Sequence, residues 1–171
     1  MKQKFVDLYT DIALRVADLS HARRLKVGAI IVKEDRIISI GYNGMPAGWE
    51  NDCEDKVWMD SDVGGWLSPE EIEERWPCVD YNEDAEEEYR YALKTKPEVL
   101  HAESNAIAKL ARNNESGLDA AIFVTHSPCL ECAKLIFQSG INKVYYGQAY
   151  RDNAGLEFLR KSKIEVIKTG D

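Results

Sequence analysis

The sequence predicts a three-layer α/β/α fold with a mixed central sheet of about five strands. Three observations lead there. An amphipathic N-terminal helix is followed by an apolar, β-branched hairpin. The second half of the chain then alternates helix and strand three times, the pattern of a sheet covered by helices on both faces. At 171 residues the whole of 1–171 reads as one domain, long enough to bury a substantial core.

Each element has its own signal. Phe5, Leu8, Ile12, Val16 and Leu19 recur at helical spacing, so residues 3–19 read as an amphipathic helix. Residues 27–32 (Val-Gly-Ala-Ile-Ile-Val) read as a buried strand, Lys33-Glu34-Asp35 as a turn, and residues 36–40 as the hairpin partner. Gly41-Tyr42-Asn43-Gly44 leaves that strand as a loop. Ser68-Pro69-Glu70-Glu71 places a Ser cap before a Pro and a Glu, which opens a short helix near 72–76. Asn82 precedes a second acidic helix, roughly 83–95, stopped by Lys96-Pro97. A further helix carries Asn105 to Ala111 and breaks at Asn114-Glu115-Ser116-Gly117. A strand at 121–125 feeds directly into His126-Ser127-Pro128-Cys129, and the next helix runs to about 139–140. A strand at 143–147, a helix near 153–161 and a strand at 164–167 complete the series.

Composition narrows the function classes. Hydrophobic residues make up 44% and charged residues 30%, as in ordinary globular proteins. No apolar run is long enough to span a membrane. The start, Met1 to Asp7, lacks the apolar core of a signal peptide. Four cysteines, two of them in one motif, suit a reducing compartment, so the expected location is the cytoplasm. The net charge of −8 is unevenly placed. Residues 52–91 hold 15 of the 30 acids against only Lys56, Arg75 and Arg90; the remainder holds 15 acids and 19 bases. An acidic insertion at about 50–97 therefore interrupts a mildly basic body, which suits an anionic small substrate. An acidic chain without a basic stripe is a poor binder of tRNA or duplex DNA, so neither nucleic acid nor membrane is an expected partner. Trp58, Trp66 and Trp76 argue that the insertion is an ordered flap or packing surface rather than disorder.

The chemistry sits in two short motifs. His101-Ala102-Glu103 and Pro128-Cys129-Leu130-Glu131-Cys132 supply one imidazole and two thiolates. A catalytic zinc keeps three protein ligands and leaves its fourth position to water. His101, Cys129 and Cys132 are the candidate ligands, and Glu103 is the candidate proton shuttle beside that water. This spacing is the signature of zinc nucleobase deaminases. Pro128 suits a helix start, and a helix N-terminus lowers thiolate pKa values. Residues two apart point in different directions within a helix. His101 thus belongs at or just before a helix start, with Glu103 in the first turn. A closed structural zinc knot needs a fourth ligand from Cys53, Cys78, His21 or His126, and it leaves Glu103 without a role. A redox Cys-x-x-Cys pair needs no upstream His-x-Glu.

The resemblance extends past the metal motif. Residues 26–32 (Lys-Val-Gly-Ala-Ile-Ile-Val), Arg36-Ile37-Ile38, residues 41–48 (Gly-Tyr-Asn-Gly-Met-Pro-Ala-Gly), residues 101–107 (His-Ala-Glu-Ser-Asn-Ala-Ile) and residues 124–134 together resemble the deoxycytidylate (dCMP) deaminases of the cytidine deaminase-like superfamily. Many members come from phages, which would make the compartment a host's cytoplasm. The match spans most of the chain outside 50–97, and the Gly-Tyr-Asn-Gly loop is the part most specific to the dCMP branch.

That resemblance implies roles. His101, Cys129 and Cys132 would hold Zn²⁺, and Glu103 would move protons during hydrolysis of dCMP to dUMP and ammonia. Asn43 would meet the substrate sugar, although Asn-Gly is also a common turn. Ser127 would join the substrate site. Tyr150 and Arg151 would lie near the 5′-phosphate, with Arg24 beside them. Such enzymes are often hexamers, activated by dCTP with Mg²⁺ and inhibited by dTTP; Tyr42, Gly44 and Arg112 would meet the effector. Some members hold a second, structural zinc through cysteines near the first strand and after the Gly-Tyr-Asn-Gly loop. Here residues 20–26 hold no cysteine, Cys53 stands near the right place, and Cys78 and His21 are the residues that would complete a set. Other readings stay open: dCTP or deoxycytidine as substrate, another nucleoside or tRNA deaminase, or a non-enzymatic zinc-stabilised binding module.

Overall fold

A computed structural model describes residues 1–60, 66–82, 87–150 and 152–170. Five strands form the central sheet: β1 (Gly28–Lys33), β2 (Arg36–Tyr42), β6 (Ala121–His126), β7 (Lys143–Gln148) and β8 (Glu165–Lys168). Their order is β2-β1-β6-β7-β8. β1 pairs antiparallel with β2 and β6, while β6, β7 and β8 run parallel, so the sheet is mixed as expected.

Side-chain alternation builds the three layers. Successive residues of a strand point to opposite faces. Ile30, Val32, Phe123 and Tyr145 meet Val6, Tyr9, Ala13 and Val16 of α1 (Gln3–Ala17) on one face. Phe123 stacks on Tyr145 with ring centroids 4.3 Å apart. Ala29, Ile31, Ile122, Val124 and Val144 face the other way. They pack on α3 (Ala102–Arg112), α4 (Leu130–Gln138) and α5 (Ala154–Lys161). Burial on both faces explains the unbroken apolar runs in β1 and β6. Among the described residues no helix is long and apolar enough to cross a membrane.

Two glycines set how closely the helices approach the site. A Cβ on Gly41 would stand 2.1 Å from the Ala102 carbonyl oxygen, so only glycine lets α3 lie this close to β2. A Cβ on Gly155 would stand 2.0 Å from the Pro128 carbonyl oxygen, where α5 meets the loop before Cys129. Gly155→Ala should therefore destabilise the fold by about 1–3 kcal/mol or more, the usual cost of overpacking, and displace Cys129. Thermal melting with a zinc titration checks this: a lowered melting point together with weaker zinc binding is expected.

The insertion departs from its sequence reading. The short helix is present as α2 (Pro69–Arg75), with a complete capping box between Ser68 and Glu71. The acidic helix expected over roughly 83–95 is not formed by its described part. Residues 87–95 are a strand, β5 (Glu87–Thr95), flanked by β3 (Glu54–Trp58) and β4 (Cys78–Asn82) in a separate antiparallel sheet. The physical reason is cross-strand packing. The Tyr91 and Trp58 rings meet at a 55° tilt with centroids 5.1 Å apart, and Lys56 lies over both rings. These pairs need Tyr89, Tyr91 and Leu93 on one face, an alternation that outweighs the helix propensity of the glutamates. The start of that expected helix, 83–86, lies outside the described residues.

Candidate active site

α3 and α4 point their N-termini at one spot. His101 is the N-cap of α3 with extended backbone (φ −77°, ψ 153°), and Glu103 follows in the first turn. Cys129 is the N-cap of α4, and Cys132 lies one turn in. This is the arrangement expected from the two-residue spacing of His101 and Glu103. Pro128 is fully buried beneath the Cys129 turn.

The three candidate ligands come together. His101 Nδ1 lies 3.6 Å from Cys129 Sγ and 3.4 Å from Cys132 Sγ, and all three ligand atoms fall within 4.8 Å of one another. Tetrahedral zinc with bonds of about 2.3 Å to sulfur and 2.0–2.1 Å to nitrogen spaces such ligands about 3.5 Å apart. The residues therefore fit zinc. Among the described residues this is the sole such cluster, so His21, Cys53 and Cys78 are not brought together as a second metal set.

Electrostatics match that use. Hydrogen bonds from Cys132 and then His101 pull the Cys129 thiol down to about 3, so it is a thiolate at neutral pH. Its hydrogen bond to Cys129 pushes the Cys132 thiol up, as expected when two sulfurs share one proton. The same contact with Cys129 raises His101 above the usual imidazole range. Glu103 is 4% exposed, and burial raises its carboxyl pKa. A buried acid with a raised pKa beside a cluster of metal-ligand type is poised to take and return protons.

A cavity of about 120 Å³ opens beside the cluster. Its wall includes His101, Glu103, Cys129, Arg24, Asn43, Ser127 and Tyr150, which unites most of the residues singled out from sequence. Arg151 lies outside the described residues. Leu25, Val27, Thr95, Val99 and His126 also line the cavity and had not been assigned to it. Tyr-x-Tyr-x-Leu-x-Thr alternation over 89–95 was the available signal for Thr95 at a strand end.

Several wall residues also hold the wall. Asn43 is buried, its Oδ1 accepts from Val27 N–H at 2.8 Å, and its Nδ2 donates to the Leu25 carbonyl at 2.8 Å. Its amide keeps one hydrogen and one lone pair for a ligand. Ser127 Oγ accepts from Tyr150 N–H at 2.7 Å and so fixes that loop.

Tyr42 and Gly44 do not line the cavity; they bind its neighbours. Gly44 and Leu100 exchange backbone hydrogen bonds of 3.1 and 2.9 Å, and Asn105 Nδ2 donates to the Tyr42 carbonyl at 2.8 Å. Arg112 is exposed at the other end of α3, seven residues beyond Asn105, or about 10 Å along the axis.

Comparison with known proteins agrees with this geometry. Residues 3–148 match the model of the cytidine and deoxycytidylate deaminase zinc-binding region. The deoxycytidylate deaminase of Enterobacteria phage T4 is 41% identical over 169 residues, covering 91% of this chain and 85% of that one. The deoxycytidylate deaminase of Mycobacterium phage D29 is 33% identical over 141 residues, covering 82% and 91%. The dCMP deaminase of cyanophage S-TIM5, solved in complex with dCMP and dUMP, superposes with a TM-score of 0.75 at 35% identity over 99% of both chains. With a metal-ligand cluster, a fold and a matched region that all coincide, the chain belongs to the cytidine and deoxycytidylate deaminase family.

Proposed function

We propose that this chain catalyses zinc-dependent hydrolysis of dCMP to dUMP and ammonia. One observation carries the reading: a buried carboxylate, Glu103, adjoins the His101, Cys129 and Cys132 cluster in a cavity rimmed by Arg24. His101 Nδ1 and the two thiolates are the ligand set in this reading. When bound, zinc supplies Lewis-acid activation of water for attack on the amino-bearing ring carbon. Glu103 takes one proton from that water and delivers it to the ring nitrogen; it then takes the second from the hydroxyl now on the ring carbon and delivers it to the departing amino group. The water oxygen ends on dUMP, and nitrogen leaves as ammonia. Asn43 offers its free hydrogen and lone pair to the sugar. Ser127 fixes Tyr150 at the wall. Arg24 and Arg151 meet the 5′-phosphate. Thiolate ligands of this kind stay reduced in a cytoplasm, which is the compartment this reading assigns.

A side-by-side assay of dCMP, dCTP, CMP and deoxycytidine tests the substrate, with dCMP expected to give the highest kcat/KM. The phosphate contacts have their own signature. Charge-assisted hydrogen bonds contribute about 1.5–3 kcal/mol. Arg24→Ala or Arg151→Ala should therefore raise KM for dCMP by about 10- to 150-fold and leave deoxycytidine nearly unchanged. Equal effects on both substrates would remove the phosphate role.

Regulation belongs to the same reading. dCTP with Mg²⁺ as activator and dTTP as inhibitor are assigned to Tyr42 and Gly44, with Arg112 of a hexameric assembly. The hydrogen bonds between Gly44 and Leu100 support it, because Leu100 precedes His101 in the chain. An effector that moves Gly44 thus acts on the ligand without a long relay. Couplings of this type change affinity about 5- to 150-fold, reciprocally for both ligands. Calorimetry should find dTTP bound more weakly in the presence of a non-hydrolysable dCMP analogue. Equal affinities would refute the coupling.

A further inference from the structure

The acidic insertion reaches the cavity through one buried carboxylate. Glu54 opens β3, and its side chain is 1% exposed. Its Oε1 accepts the backbone N–H groups of Arg23 and Arg24, each at 3.1 Å. Its Oε2 lies 3.2 Å from Arg23 N and 3.7 Å from Arg23 Nε. A buried carboxylate is tolerated only when donors and an opposite charge meet it, and here two main-chain donors and one guanidinium do so.

The neighbours of this contact are also fixed. Cys53 and Ala22 pack with Val99 in a small apolar cluster. On the other side of residue 24, Asn43 holds the Leu25 carbonyl. Arg24 thus stands between two anchored points. Its guanidinium Nη1 donates to Thr95 Oγ1 at 3.2 Å. Thr95 is the register partner of Glu54 across β3 and β5. One cross-strand pair of the insertion therefore grips Arg24 at both ends, main chain and guanidinium. Arg23 meets the carboxylates of Asp52 and Glu54. Among the described residues no carboxylate pairs with the Arg24 guanidinium, so its charge stays available to the cavity.

We infer that Glu54 is a positioning residue, clamping the Arg24 main chain so that the guanidinium is presented to the anionic group of the substrate. This rests on the reading that the substrate is a nucleotide held by Arg24. The insertion thereby acquires a role, because the edge of its sheet is one jaw of the phosphate end of the cavity. Preorganised donors lose less freedom when the ligand arrives, so the effect belongs in binding rather than in the chemical step.

The test compares KM and kcat for dCMP and deoxycytidine in the zinc-loaded protein and its variants. Glu54→Ala should raise KM for dCMP about tenfold, a part of the full Arg–phosphate contribution, with kcat and the deoxycytidine values little changed. Glu54→Gln should restore most of the loss, because an amide oxygen at the Oε1 position can still take both N–H groups. In an Arg24→Ala background Glu54→Ala should add nothing, the mark of a residue acting through its neighbour. If Glu54→Ala does not fold by circular dichroism, Glu54→Asp replaces it; its carboxylate is withdrawn by one methylene, and the same split between substrates is expected. Equal losses on both substrates, or additive losses with Arg24→Ala, would overturn the clamp alone. Absence of dCMP turnover by the unmodified chain would instead overturn the functional reading, and the clamp with it.

Discussion

Glu103→Gln should fold, bind zinc and lose nearly all turnover. Glutamine matches glutamate in size but cannot carry a proton between water, ring nitrogen and amino group. Each general acid–base step contributes about 10² to 10⁴ in rate, and in the proposed reaction Glu103 serves more than one. The loss in kcat should therefore reach at least about 10³-fold, with KM for dCMP little altered. Burial raises the Glu103 pKa. In the metal-free chain the folded state thus holds this proton more tightly than the unfolded state. Stability contributed by the protonated form is present below the unfolded pKa and lost as pH rises through the folded one. The neutral amide lacks that loss, so metal-free Glu103→Gln should melt no lower than the parent at neutral pH. Residual activity above a few per cent, or a lowered melting point, would contradict the assigned role.

Cys129→Ala and Cys132→Ala should have the next largest effect, on the metal itself. Outer partners of metal ligands alone carry about 10- to 100-fold in affinity, so loss of a ligand should weaken zinc binding by more than about 10²-fold. Metal analysis should fall from one zinc per chain to a small fraction, with a matching drop in melting temperature. The pH dependence has a definite sign. Ligands bind zinc only when deprotonated. Cys129 is already a thiolate at neutral pH, but hydrogen bonding raises His101, and Cys132 holds the shared proton. Zinc uptake should therefore release protons, and affinity should fall as pH drops through the raised His101 range. One full zinc equivalent with an unchanged melting curve in either variant would contradict the ligand assignment.

The central sheet and the metal cluster were legible because both depend on local pattern. Apolar runs at 27–32 and within 121–125 announce strands buried on both faces, found as β1 and β6. Within a regular helix His101 and Glu103, two apart, would point in different directions. A helical reading therefore brings them to one site where the helix begins between them, and α3 begins at Ala102. The insertion was harder. A run of glutamates before Tyr89 reads as helix, whereas the Trp58–Tyr91 pairing that makes it a strand joins residues 33 positions apart. Glu54 was invisible for the same reason. Nothing in an acidic stretch marks which carboxylate will be buried against Arg23 and Arg24, 31 and 30 residues earlier in the chain. Asn43 shows the converse case. Its turn and ligand roles looked like alternatives, but its amide can bond Leu25 and Val27 while keeping one donor and one acceptor free.

The most direct measurement follows the ultraviolet absorbance of dCMP incubated with the purified chain carrying one zinc per subunit. Zinc-dependent deamination requires loss of the cytosine chromophore, with dUMP and ammonia appearing in equal amounts. Removing zinc with a chelator should stop the change, and restoring zinc should resume it. Intact dCMP in the presence of fully zinc-loaded, folded protein would contradict the assigned reaction.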